Sequence, residues 1–70
     1  MKPLTARALM KVLRKHGFAI SRQKGSHLIY KQVYTNVIVP VPLHGKSKPI
    51  PIGTLQAIIK QSKIPKEEFE

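Results

Sequence analysis

Seventy residues carry thirteen Lys and Arg against three carboxylates, a formal net charge of +10 at pH 7. A chain this short buries only about 60% of the surface its unfolded form exposes, so residues 1–70 are read as one domain with a thin core that a partner would help. There is no cysteine, which excludes disulfide scaffolds, thiolate zinc sites and cysteine nucleophiles and fits a reducing cytosol.

The placement of the charge says more than its total. Glu67, Glu68 and Glu70 are the only acids, and all thirteen cations precede them. The body therefore presents a nearly unscreened positive field suited to a polyanion such as RNA or DNA. It also excludes a carboxylate general base, a carboxylate dyad or an oxygen-ligated metal within that body. No signal-type apolar block follows Met1. The most apolar run, Val37 to Leu43, is too short and too proline-broken to span a bilayer. A soluble, cytoplasmic protein without membrane contact is expected.

In chain order, the first element is a helix. Thr5 is placed as its N-cap, and Leu4 and Leu9 stand at hydrophobic-staple spacing. Leu9, Val12, Leu13 and His16 share one face, while Arg7, Lys11, Arg14 and Lys15 share the other. Gly17 supplies a left-handed stop. The period then changes to two. Phe18, Ile20 and Arg22 point one way and Ala19, Ser21 and Gln23 the other, as in a half-buried strand. Lys24-Gly25-Ser26 is a turn in which Gly25 takes a positive φ.

His27 to Gln32 is the returning strand, with Leu28 and Tyr30 on one face and His27, Ile29 and Lys31 on the other. Val33 to Asn36 turns, and Val37 to Val41 forms a third strand that Pro40 confines to the sheet edge. A mobile, basic, proline-rich loop, Pro42 to Pro51, leads to a second helix from about Thr54, its N-cap, to Lys63. Leu55, Ile58 and Ile59 form its apolar face. Ile64-Pro65 ends it, and Phe69 in the short tail is a candidate to pack back. The expected architecture is α+β, in the order α-β-β-β-α. Both helices cover one face of a three-stranded antiparallel sheet, and the other face stays open.

The chemistry rests on three histidines. His16, His27 and His44 match no zinc spacing, and no cysteine or carboxylate lies near to complete a site, so neither a metal nor a cofactor is expected. His16 reads as a helix-capping residue and His44 as a solvated loop residue. His27 follows a glycine turn, with Ser26 and Tyr30 able to hydrogen-bond and Arg22 and Lys24 able to neutralise phosphate. Imidazole exchanges protons near neutral pH. These are the parts that metal-free RNA cleavage through a 2′-hydroxyl requires, a reaction DNA cannot undergo. A single histidine after a turn is more often an ordinary surface residue, and the residues alone leave both readings open.

Four segments carry a resemblance. They are Leu13-Arg14-Lys15-His16-Gly17-Phe18, Lys24-Gly25-Ser26-His27-Leu28-Ile29-Tyr30, Val39-Pro40-Val41-Pro42-Leu43-His44, and Gly53 to Gln61. In this order and spacing they resemble the HicA family of bacterial toxin–antitoxin systems over nearly the whole chain, with Gly-Ser-His-x-x-Tyr the most diagnostic stretch. The resemblance implies a fold like the double-stranded-RNA-binding domain and a ribosome-independent endoribonuclease acting on mRNA. It places the family's catalytic histidine at His27. It also implies a HicB-type antitoxin that covers the active site and represses the operon. Arg22, Lys24, Gly25, Ser26, Tyr30 and Lys31 are the candidate RNA-contacting residues. Whether His27 is base, acid or both stays open, with Tyr30, Lys24 or His44 as candidate second participants. The alternatives are a double-stranded nucleic-acid-binding module without chemistry and a ribosome-associated structural protein.

Overall fold

A computed structural model describes residues 3–43 and 47–70. The assignment of His44 as a solvated residue or second participant therefore lies outside the described residues. The elements are α1 (Ala6–Lys15), β1 (Phe18–Lys24), β2 (His27–Gln32), β3 (Ile38–Pro42), α2 (Ile52–Ser62) and a 3-10 turn (Lys66–Phe69). The three strands form one antiparallel sheet in the order β1-β2-β3. The α+β order read from the sequence is the order observed.

Helix α1 starts as its sequence dictates. Thr5 is extended, and its hydroxyl accepts from the Ala8 amide at 3.1 Å, satisfying one of the donors a helix start leaves unpaired. Leu9 and Leu13 are fully buried, with Leu4 and Val12 packed beside them. Arg7, Lys11, Arg14 and Lys15 lie outside the core. At the other end Gly17 takes φ +85°. A methyl group there would also meet the Gln32 amide nitrogen at 2.8 Å. That nitrogen donates to the His16 carbonyl at 3.2 Å, and the Gln32 side-chain oxygen accepts from the Tyr34 and Thr35 amides at 2.6 and 2.8 Å. One side chain thus joins the end of α1 to the β2–β3 turn.

Strand β1 departs from simple alternation. Phe18, Ala19 and Ile20 pair with Gln32, Lys31 and Tyr30, but Arg22, Gln23 and Lys24 pair with Ile29, Leu28 and His27. Ser21 is the extra residue of a β-bulge, and a bulge reverses the faces of the residues beyond it. Arg22 is therefore not on the Phe18 face, as strict alternation predicts, but on the face of Ile29. The expectation of a half-buried strand is also corrected. Only Phe18 is buried, because β1 is an edge strand and α2 packs over β3 at the opposite edge.

Strand β3 is the other edge. Leu43 donates its amide to the Ser26 carbonyl at 2.8 Å, and by alternation Val41 and Val39 turn theirs the same way. The nitrogens of Pro40 and Pro42 then face outward, where a missing N–H breaks no ladder bond. The loop after β3 is fixed from Pro49 onward rather than loose. Pro49 bridges to Thr5, the Ile50 amide donates to the Leu4 carbonyl at 2.8 Å, and Ile50 is buried.

Helix α2 is capped three residues earlier than expected. Pro51 is its N-cap, without a side-chain cap bond, so Thr54 lies inside the first turn and is not the cap. Proline at this boundary presets the backbone that a polar cap would otherwise organise. Leu55, Ile58 and Ile59 are buried as predicted, and Lys63 ends the helix in the left-handed region at φ 66°. Phe69 does return to the core at 3% exposure.

The two positive-φ glycines should differ in stability when replaced. Gly17→Ala should lose about 2 kcal/mol or more, since the left-handed backbone alone costs an alanine roughly 1–2 kcal/mol and the methyl displaces Gln32. Gly25→Ala, at φ +58° with open space around it, should lose only the backbone share; urea midpoints of the two variants test the order. The Tyr30 hydroxyl, buried, has no hydrogen-bond partner among the described residues. Tyr30→Phe should therefore hold stability or raise it by up to about 2 kcal/mol, and a clear drop in unfolding midpoint would show that the hydroxyl is paired.

Candidate active site

The histidine of interest is set by the pleat. Tyr30 is fully buried and Leu28 packs against the core. His27, an odd number of residues away from Tyr30, must then point to the opposite, open face. It is exposed. Lys24 is its direct cross-strand partner, and such neighbours have Cβ atoms about 5 Å apart. The two flank Gly25 and Ser26, with Gly25 at φ +58°, the glycine-first pattern of a tight II′ hairpin. Gln23 steadies this turn by donating its side-chain amide to the Gly25 carbonyl at 3.1 Å.

The bulge at Ser21 gives Arg22 and Lys24 their direction. Both belong to the face that carries His27 and Ile29, one behind the other along the hairpin. Lys31 shares that face but stands about 13 Å further along β2, too far to serve the same phosphate. Of the candidate contact residues, Arg22, Lys24, Gly25, Ser26 and Lys31 are exposed. Tyr30 is corrected: at 0% exposure it belongs to the core and cannot touch a ligand or assist His27. Its role in the segment is packing, because the alternation that exposes His27 is the alternation that buries Tyr30.

The fold adds residues that the sequence did not mark. A cavity of about 300 Å³ opens beside His27 and Pro42, and the loop 48–51 closes it. Lys48 and Thr54 line it. Neither stands near His27 in the chain; the Thr5–Pro49 bridge brings the loop there. The only legible signal was Ile50, an apolar residue between two prolines that had to be buried somewhere. A larger groove of about 420 Å³ runs past Lys60, Lys63 and Lys66, with no histidine among its described lining residues.

His16, the remaining described histidine, is engaged elsewhere. Its Nε2 lies 3.2 Å from a Glu68 carboxylate oxygen on the surface, tying the tail to the end of α1. Among the described residues no three His, Asp or Glu side chains converge to hold a metal ion. Among the described residues the face that carries His27 holds that one imidazole, with Lys24 and Arg22 on the same face. Such a set can move one proton and neutralise charge on an oxyanion.

No helix among the described residues is long and apolar enough to cross a membrane. No curated protein matches the chain. A family model for the HicA toxin of bacterial toxin–antitoxin systems does match, over residues 6–64. That span takes in both α-helices, all three strands and the His27 hairpin, and the chain accordingly belongs to the HicA toxin family, the toxin side of a toxin–antitoxin pair.

Proposed function

We propose that this toxin is a metal-independent, ribosome-independent endoribonuclease acting on mRNA, with His27 as its general acid/base. The observation that carries the reading is the hairpin itself: an exposed imidazole in register with Lys24, with Arg22 on the same face of the hairpin. His27 takes the proton of a 2′-hydroxyl. That oxygen attacks the adjacent phosphorus, and the bond from phosphorus to the 5′-oxygen of the next nucleotide breaks. The departing oxygen takes a proton back from the imidazolium, leaving a 2′,3′-cyclic phosphate and a 5′-hydroxyl. Lys24 and Arg22 stabilise the extra charge on the phosphoryl oxygens as it develops.

The single domain, residues 1–70, follows the element order of a double-stranded-RNA-binding domain, which supports contact with nucleic acid and equally supports a binding module without chemistry. The inhibitor is proposed to be a HicB-type antitoxin. A partner with an acidic surface would find, in the exposed cations of this domain and the absence of carboxylates before Glu67, a complementary face.

The test is incubation of the purified protein with single-stranded RNA, in chelator and without ribosomes, beside His27→Ala. Wild type should cut and leave 2′,3′-cyclic ends, while His27→Ala should lose on the order of 10²–10⁴-fold in rate and keep RNA affinity. Equal binding by both with cutting by neither would favour the binding module. Neutralising Lys24 or Arg22 should slow cutting and also weaken binding. The slope of log affinity against log salt should become shallower by about 0.7 for each phosphate no longer neutralised.

A further inference from the structure

The cavity beside His27 is larger than proton transfer needs. Its volume of about 300 Å³ lies at the lower end for small-ligand sites. Ala6 and Ile50, both buried, and Pro42, Pro49 and Pro51 give it an apolar lining. His27, Lys48 and Thr54 supply its polar groups.

These residues favour one kind of occupant. Saturated rings and a buried isoleucine make good contact with a flat, uncharged ring and give nothing to a phosphate. No carboxylate lines the space, so a cationic ligand would find no counter-charge. Thr54 is released from capping, since α2 starts at Pro51 without a side-chain cap. Its hydroxyl can both donate and accept, and the Lys48 ammonium can donate. That is the complement of a heterocycle edge bearing carbonyl and ring-nitrogen acceptors. Because His27 borders the same space, the ligand's sugar would lie next to the imidazole.

We infer that this cavity receives one unpaired nucleobase of the RNA, that of the nucleotide whose 2′-hydroxyl faces His27, with Thr54 and Lys48 reading its edge. The inference rests on the nuclease reading for the nature of the substrate. It makes single-stranded RNA the preferred form, because a base within a duplex is stacked and paired and must first be extruded. Thr54 and Lys48 are then specificity residues, touching the base and not the reacting bond.

The test reads binding and cutting separately. The protein is titrated with each of the four nucleoside 3′-monophosphates, and with ribose 5-phosphate as a base-free control, while the methyl resonances of Ala6, Ile50 and Thr54 are followed. At least one nucleotide should shift the Ala6 and Ile50 methyls at about tenfold lower concentration than ribose phosphate, a margin of roughly 1.4 kcal/mol in affinity. Thr54→Trp, which fills the space from an exposed position, should abolish that shift with the amide spectrum otherwise retained. Thr54→Val should change the ranking of the four bases. On single-stranded RNA Thr54→Val should redistribute His27-dependent cutting among the bases, and Thr54→Trp should slow cutting and flatten the preference among them.

Equal shifts with ribose phosphate would overturn the inference in favour of a phosphate site. So would a Thr54→Trp cleavage pattern identical to wild type. If no version cuts RNA but the base-dependent shifts persist, the nuclease reading falls and the base site stands.

Discussion

The alternation of side chains along β2 is the constraint on which the rest of the arrangement depends. Tyr30 is the largest fully buried side chain, and with Leu28 it anchors the middle strand to the helices. Once those two point inward, His27, Ile29 and Lys31 have no choice of face. A one-residue slip would expose Tyr30 and bury His27, at a cost in apolar burial and unpaired polar groups that a thin core could not bear. The exposure of the imidazole is thus enforced by the strongest packing in the molecule. The bulge at Ser21 completes the effect on the neighbouring strand, since without it Lys24 and Arg22 would turn to the helix side.

Charge imposes a second constraint. With thirteen cations and three acids, like-charge repulsion opposes compaction everywhere. The tail relieves it only locally. Phe69 anchors the 3-10 turn against α1, and Glu68 pairs with His16. A surface pair of this kind contributes at most about 1 kcal/mol, so the buried ring, not the ion pair, holds the tail. The hairpin face receives no such relief and keeps its field for a polyanion or an acidic partner.

Much of the fold is legible in the sequence because it is local. Thr5 and Gly17 mark the ends of α1 by cap chemistry, Gly25 marks the turn, and Pro40 marks an edge strand; each depends on backbone geometry that one residue dictates. The end of β1 is not legible. Nothing in Ile20-Ser21-Arg22 announces an extra residue, because a bulge is decided by the register of the partner strand. Tyr30 misleads for a related reason: a tyrosine two residues before the end of a strand has a polar tip, and only the packing of α1 and α2 shows that the tip is buried. Thr54 has the residue type of a cap, but Pro51 has already set the backbone. Lys48 and its cavity depend on a contact between positions 5 and 49, which no local pattern encodes.

The same geometry bears on how such a small toxin can be controlled. His27 sits on a hairpin whose other strand is exposed from Ala19 to Lys24. The site is therefore ordered by turn chemistry, by the Ser26–Leu43 ladder bond and by the loop anchored at Thr5 more than by the core. Exposed backbone hydrogen bonds with few apolar contacts are where proteins open most readily. A partner that bound this face would remove it from solvent and add burial where the domain has least. Any such partner prefers the folded form, so it would stabilise the toxin by mass action while occluding it. Inhibition and stabilisation would then arise from one contact, and the inhibited form would be the better-folded one.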